Sequence, residues 1–448
     1  MCDNDLKAKT DFNWTSSRTT YSTDWGFYCG QETKSSLVSS VYYIGCVAGM
    51  LSSTAIFDQV GRKRGALIGG VITAVSVVVT VFAPNFEVLL IFRIITGFGQ
   101  IIHYIGSYCW VLELTPKSFR NLVSATWRLN WTASHFLLIG LSYLLLNWRH
   151  IFIAVAVISI VALVPLLVLP ESPRFQLIRG MEKEAKKTLQ SLSSISGNRI
   201  SLDKINLIYE VRVQNYMEQV KDYMIYPTLR RDTILVVFSW FMIAIVTCGY
   251  VYTWAKIGDD IYTSYSIAVL GEAIAFIGSV PICNLFGRKR TMLFFIAGTI
   301  ASNFVAMIDL KLSDSWSLEH IASVVGFMFT SSAFMLMYLI IIERFPTSHS
   351  GMVFSLANVG ARSGCFLGPQ VNLLYGVTSR KVPQALYAGV GALAFVGMAF
   401  IPDTTGKPIP QIPGDMEVNG CGKVRDGEKG MEETNNTDMV YKNPGTVE

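Results

Sequence analysis

Asp58-Gln59-Val60-Gly61-Arg62-Lys63-Arg64 and Asn284-Leu285-Phe286-Gly287-Arg288-Lys289-Arg290 are two forms of one stretch, 226 residues apart in a chain of 448. Each is a short basic turn with a long apolar run on either side. A second pair keeps nearly the same offset. Glu113-Leu114-Thr115-Pro116 and Glu343-Arg344-Phe345-Pro346 lie 230 residues apart, each directly after an apolar run. Two motifs recurring in the same order at almost one offset indicate a duplicated unit. The apolar flanks make it a membrane unit.

Composition agrees. The chain is 51% hydrophobic and 15% charged, where soluble domains carry about 25% charged residues, and its mean hydropathy is +0.41. The net charge of +5 rests on loop residues, so no nucleic-acid patch is read from it. Eight cysteines, Cys2, Cys29, Cys46, Cys109, Cys248, Cys283, Cys365 and Cys421, form no CxxC pair; most sit in apolar runs and read as packing residues. No metal, cofactor or enzymatic site is expected. There is no signal-peptide h-region and no GxxxxGK[ST] phosphate loop.

A bilayer-crossing helix needs about 20 apolar residues. Runs fall at about 36–57, 66–84, 86–112, 121–146, 149–169, 233–256, 262–283, 291–310, 319–342, 351–376 and 384–401, eleven spans. The chain divides into an outer segment 1–35, a first membrane half 36–169, a polar helical insert 170–232, a second membrane half 233–401 and a polar tail 402–448. Short loops on one side carry the Lys/Arg excess, which places that side in the cytoplasm and the N-terminus outside, where Asn13-Trp14-Thr15 is a glycosylation sequon. In the second half two spans precede the basic turn; in the first half only one does. The expectation is an all-α, six-plus-six membrane protein whose first helix is missing.

Several motifs resemble the major facilitator superfamily: the GRKR turn, Arg93-Ile94-Ile95-Thr96-Gly97-Phe98-Gly99, Pro170-Glu171-Ser172-Pro173-Arg174, and Pro402-Asp403-Thr404-Thr405-Gly406-Lys407-Pro408. Within it, Tyr21–Cys29, Glu113–Arg120, Trp148-Arg149 and Glu343–Thr347 resemble the family that carries organic cations, organic anions and carnitine. The chain departs from that family's pattern at Thr54, Gln59 and Asn284, which stand for its Gly, Arg and Asp. The resemblance implies a multi-pass plasma-membrane carrier whose partners are a small organic ion, the lipid bilayer and a coupling or exchange ion.

It also implies roles. Asp58, Gly61, Arg62, Lys63, Glu113, Arg120, Glu171 and Arg174, with Gly287, Arg288, Lys289, Glu343 and Arg344, suit a gate in which ions of one half pair with those of the other and break as the halves rock. Basic turns also fix orientation. Asp58, with only Asn284 as counterpart, should make its half's gate the more sensitive to substitution. Arg93 and Gly97 read as structural.

Ionisable residues inside a bilayer cost about 2.5–3.5 kcal/mol on insertion scales and usually face a cavity or a partner. Arg93, His103, Arg128, His135, Glu272 and Arg362 are such residues. Spacing groups them with aromatics: Arg128, Trp131 and His135 share one helix face, Asn358, Arg362, Cys365 and Pro369 another, Trp240, Thr247, Tyr250 and Trp254 a third, and Phe334 and Tyr338 a fourth. Packing is the plain alternative for such stripes, and for lone histidines. Arg362 matches the family's eleventh-helix site, where anion and carnitine carriers hold Arg. Glu272 matches an acidic position in the eighth helix, and Trp131 a substrate-contacting aromatic in the fifth. Phe276 replaces the Lys common in anion exchangers. The expected substrate site is Arg362, Glu272, Trp131, Arg128, Tyr250, Phe334, Tyr338 and Asn358, leaning positive and so favouring an organic anion or zwitterion over a cation. Two rivals stand. One is a sugar porter, against which Met335-Leu336-Met337-Tyr338-Leu339 replaces a Gly-Pro-rich stretch. The other is a non-transporting membrane partner or truncated isoform.

Overall fold

The computed structural model describes residues 19–27, 32–116, 119–195, 216–257, 260–308, 310, 317–346, 349–379, 381–405, 410, 413, 414 and 416. Asn13, Cys2 and Cys29 lie outside them, as do the side chains of Arg120, Arg128 and Trp254.

The described residues form helices. In chain order these are α1 (Tyr21–Asp24), α2 (Glu32–Val60), α3 (Arg62–Val81), α4 (Phe86–Leu114), α5 (Arg120–Leu144), α6 (Trp148–Val161), α7 (Val164–Val168), α8 (Pro173–Ile178), α9 (Glu182–Ile195), α10 (Tyr216–Ile225), α11 (Pro227–Ile257), α12 (Ile261–Phe286), α13 (Arg288–Ala306), α14 (Leu318–Arg344), α15 (Ser350–Val371), α16 (Leu374–Val377) and α17 (Lys381–Ala399). All eleven apolar runs are helical. The run at 149–169 is split into α6 and α7 because Pro165 has no N–H for the helical ladder. Eight spans are long and apolar enough to cross a membrane by length and composition alone. The other three, α5, α13 and α15, are more polar. A helix that faces partners rather than lipid tolerates this. On α3, Ile68, Val71, Val75, Val78 and Phe82 form one exposed apolar face, which matches a lipid environment.

Helices α2, α3, α4 and α6 pack together in the first half, and α11 to α15 with α17 in the second. Small residues set the crossings. A side chain at Gly45 would lie 1.9 Å from the Ile94 carbonyl oxygen and one at Gly97 2.0 Å from that of Tyr42, so α2 and α4 touch backbone to backbone. This bears on the structural role expected of Gly97. In the second half α11 is central, packed on α14, α15 and α17, and its Val236, Trp240 and Ala244 are fully buried in the main apolar cluster. Among the described residues no helix holds the matching place in the first half, and α5 leans mostly on α12 of the other half.

The segment before α2 caps one end. Trp25, Phe27, Phe86 and Trp148 form a ring cluster. Trp148 Nε1 donates to Asp24 Oδ2 at 2.9 Å, and Arg149 Nε lies 3.7 Å from the same oxygen.

The cysteines depart from expectation. Cys248 on α11 and Cys365 on α15 are joined, with Cα atoms 5.2 Å apart, while Cys46, Cys109 and Cys283 are free. Apolar flanks do not reveal which two helices touch. The contact arises because Gly364 and Gly368 bring α15 against the α11 backbone. Alkylation of the intact protein followed by digestion and mass spectrometry is expected to yield a linked Cys248–Cys365 peptide. Alkylated Cys248 in the native protein would overturn the bridge.

Candidate functional site

The two basic turns build the same device twice. Gly61 and Gly287 have φ of 99° and 85°, a region open to glycine, and each starts a helix without a side-chain cap. The exposed amides at a helix N-terminus attract an anion. In the first half Glu171 supplies it, accepting from the Lys63 amide at 2.9 Å and the Arg64 amide at 3.4 Å. In the second half Thr405 Oγ1 accepts from the Arg288 amide at 2.9 Å, and Asp403 accepts from the Lys289 amide. Burial pushes the Asp403 carboxyl up, but hydrogen bonds from Thr405 and nearby amides outweigh it and leave it below the usual carboxylate range. Its stabilising contacts are therefore present above the ordinary carboxylate pKa and lost only as the pH falls through the lowered one.

The remaining charges close each device. Arg62 Nε lies 3.5 Å from Glu113, and the Ser172 hydroxyl donates to the same carboxylate. Arg288 Nε bonds both oxygens of Glu343 at 3.1 Å, and the Thr404 hydroxyl donates to Glu343 at 3.0 Å. Pro170-Glu171-Ser172 and Pro402-Asp403-Thr404 are thus structural equivalents, a pairing visible in the sequence only once the turns they serve are known. Lys289 Nζ donates to the Ala399 carbonyl at 2.7 Å. Arg174 is exposed and joins no described ion pair. Arg344, expected in the gate, is buried and bonds Asp232 Oδ2 at 2.8 and 2.5 Å.

The gate expected between the halves has no described ion pair across them in this conformation. Every described ion pair of the two turns stays within its own half. Each turn braces the segment leaving the last helix of that half, because those segments alone bring oxygens to the helix N-termini. The devices tie the helices of each half together at the basic end. Asp58 makes only a weak pair in this conformation. It is 3.9 Å from Arg62 with a mostly exposed side chain, and such surface pairs contribute about 0–1 kcal/mol. Glu343→Gln is expected to lower the melting temperature well beyond Asp58→Asn, since it weakens two bonds to Arg288. Equal shifts in a thermal assay would refute this ranking.

Polar contacts between the halves begin near mid-membrane and lie toward the ends remote from the basic turns. On the α2–α15 seam, Ser40 donates to the Phe366 carbonyl and accepts from Gln370, each at 2.9 Å, and the Tyr43 hydroxyl lies 3.8 Å from Cys248 Sγ. On the α5–α12 seam, the Tyr262 hydroxyl donates to the Ser142 carbonyl at 3.1 Å, and the Tyr265 hydroxyl lies 3.3 Å from His135 Nδ1.

Arg362 sits midway along α15 at the first seam. Tyr42, Tyr43 and Cys46 of α2 and Tyr338 of α14 are close enough to interact with its charge. Its Nε is buried and has no hydrogen-bond partner among the described residues. One side of this position is aromatic: Trp240 is 4.7 Å from Tyr338 and 5.4 Å from Phe334, and Phe354 is 5.5 Å from Tyr338, all centroid to centroid. Asn358, one turn before Arg362, is buried and donates to the Phe354 carbonyl of its own helix at 2.9 Å.

Glu272 lies at the other seam. It lines a cavity of about 10 Å³ with Thr132, Phe276, Ser331 and Met335. Trp131 on α5 is 39% exposed and packs on His135 at 5.0 Å. The expected site is therefore split into two flanks. One member leaves it: Tyr250 is fully buried, donates to Asn303 Oδ1 at 3.0 Å and stacks near Tyr387 and Phe327. It ties α11 to neighbouring helices, because a 3.6-residue turn places it off the face that carries Trp240. Arg93 Nε lies 3.5 Å from the Val38 carbonyl, and its guanidinium lies over Tyr42 and Phe152. His103 bonds the Ala66 carbonyl at 3.0 Å. The reading missed Tyr42 and Tyr43, which carry no charge to mark them. A surface cleft of about 560 Å³ lined by Pro227, Thr228, Arg230, Arg231, Ile234 and Leu235 lies at the start of α11, and none of its lining residues belongs to either flank.

Two helical halves, each braced at one end and meeting along two seams around buried charges, define a multi-pass membrane transporter of the major facilitator type. The chain belongs to the sugar (and other) transporter family, whose model matches residues 4–257 and 258–405. It is 26% identical over 419 residues to the organic cation/carnitine transporter 4 of Arabidopsis thaliana, covering 89% of this chain and 77% of that one. It is 25% identical over 414 residues to organic anion transporter 3 of Oryctolagus cuniculus, covering 90% and 75%. Human organic cation/carnitine transporter 2 is 23% identical over 395 residues, covering 87% and 70%. Its fold is similar to that of the E. coli xylose transporter XylE in an inward open conformation, with a TM-score of 0.63, 18% identity and coverage of 87% and 90%.

Proposed function

We propose that the protein is a plasma-membrane carrier of small organic anions or zwitterions, working by alternating access with the basic turns in the cytoplasm. The observation that carries the substrate class is Arg362, a buried cation at the seam with an unsatisfied donor. A guanidinium binds a carboxylate by two parallel hydrogen bonds, and the Trp240–Phe334–Tyr338–Phe354 cluster offers apolar and quaternary-ammonium contacts beside it. The names of the relatives, which span organic cations, organic anions and carnitine, support an organic ion as cargo. The bracing within each half and the two seams between them support rocking as the mechanism.

The test is uptake by the full chain in proteoliposomes of a labelled aromatic carboxylate, a carnitine-like zwitterion, a quaternary cation and a hexose. The two carboxylates are expected to enter. Uptake of the cation alone would refute the anion-binding role of Arg362, uptake of the hexose alone would favour a sugar porter, and no uptake would favour the non-transporting reading.

A further inference from the structure

From the cleft at the start of α11 we infer a binding site for an anionic phospholipid, apart from both cargo flanks. The cleft measures about 560 Å³, and Arg230, Arg231, Ile234 and Leu235 are among its walls. An ion pair fixes its place in the fold. Asp232, on the buried side of α11, bonds Arg344, and Arg344 directly follows Glu343, the partner of Arg288 in the second basic turn. The cleft therefore lies at the basic end, the end that the Lys/Arg excess puts in the cytoplasm.

The order of groups along the helix selects the ligand. Pro227, Arg230, Arg231, Ile234 and Phe238 recur at helical intervals and share one face, and all five are exposed. The face is basic in its first turn and apolar beyond it, with Ile234 62% exposed. Phe238 lies eight residues past Arg230, about 12 Å deeper along the axis. Charge at the membrane surface followed by hydrocarbon below it is also the order of groups in a phospholipid. Among the described residues no carboxylate pairs with Arg230. Arg231 gives two nitrogens to Asp232 Oδ1, at 3.0 and 2.9 Å, yet its side chain stays 55% exposed. Two guanidinium groups on one lip match a phosphate, and basic pockets beside spans on the cytoplasmic side take anionic headgroups. The acyl chain would run along Ile234 and Phe238. Because Asp232 accepts from both Arg231 and Arg344, a headgroup in the cleft would bear on the buried pair that ties α11 to α14, so occupancy is expected to stabilise the fold.

The test takes the full chain in a neutral detergent and follows its melting temperature as phosphatidylglycerol, phosphatidylcholine, glycerol 3-phosphate or inorganic phosphate is added. Phosphatidylglycerol is expected to raise the melting temperature saturably and at lower concentration than phosphatidylcholine, and the two chainless phosphates to leave it unchanged. Arg230→Gln is expected to move the phosphatidylglycerol midpoint about fivefold higher. Arg290→Gln removes an exposed arginine that is not part of the cleft and is expected to leave the midpoint in place. Both variants alter exposed side chains, so both should fold. An equal response to phosphatidylcholine, or an equal loss in Arg290→Gln, would show diffuse attraction and overturn the site. An unchanged midpoint in Arg230→Gln would overturn it too, and is the result expected if a segment of the chain itself fills the cleft. Chainless phosphates that bind as tightly would replace the lipid with a soluble phosphate. None of these readouts needs transport, so failure of the uptake experiment leaves this one intact.

Discussion

Arg362→Asp is expected to abolish uptake of the aromatic carboxylate while the protein still reaches the membrane. The arginine interacts with Tyr42, Tyr43, Cys46 and Tyr338 and enters no described ion pair, so its removal leaves no buried carboxylate orphaned. Its worth lies in the complex. Losing one partner of a buried, hydrogen-bonded charge pair costs about 2–5 kcal/mol, roughly 30-fold to more than 1,000-fold in affinity. The aspartate adds repulsion and turns the flank toward cations, so uptake of a quaternary cation is expected to rise relative to the carboxylates. Competition uptake with the aromatic carboxylate, the zwitterion and the quaternary cation measures both changes. A variant that keeps carboxylate uptake within a few-fold of wild type would remove Arg362 from the site.

Arg344→Ala is expected to have the largest effect on stability, and through the folded state rather than the cargo. Asp232 is fully buried and Arg344 nearly so, and they meet through Nε at 2.8 Å and a terminal nitrogen at 2.5 Å. Arg231 adds a contact to the other oxygen of Asp232 at 2.9 Å. Breaking a buried pair by removing one partner costs about 3–5 kcal/mol, because the other charge stays buried. Replacing both by apolar residues of similar volume, Asp232→Leu with Arg344→Met, is expected to cost far less for the same reason. Thermal unfolding in detergent reads both. A single variant no worse than the double would show that the ion pair does not decide this site.

The contrast between these two arginines explains much of what the sequence left open. Both sit near the ends or middles of apolar runs, and both read as functional. Whether an arginine holds a fold or waits for a ligand depends on whether a carboxylate reaches it, and Asp232 is 112 residues from Arg344. The gate shows the same limit. The repeated GRKR and Glu-x-x-Pro motifs identified Arg62, Glu113, Arg288 and Glu343 at the basic end, yet not the groups that cap the turns, because Glu171, Ser172, Asp403 and Thr404 come from segments whose approach is set by helix packing. Helical spacing puts Tyr250 on the face of Trp240. Seven and ten residues along one helix span two to three turns, and the drift carries the side chain to Asn303 instead.

What the sequence by itself determined was the duplication, the eleven helices, the basic end and the set of intramembrane charges. Those follow from hydropathy and short-range geometry: a bilayer demands long apolar helices, and a basic turn between two of them is readable wherever it recurs. Only the tertiary structure decided that the charges pair within each half, that Cys248 meets Cys365, and that Arg362 and Glu272 lie on separate seams. Each of these depends on which helices cross and how closely, and such crossings are fixed by glycines such as Gly45, Gly97 and Gly364 meeting backbones far away in the chain.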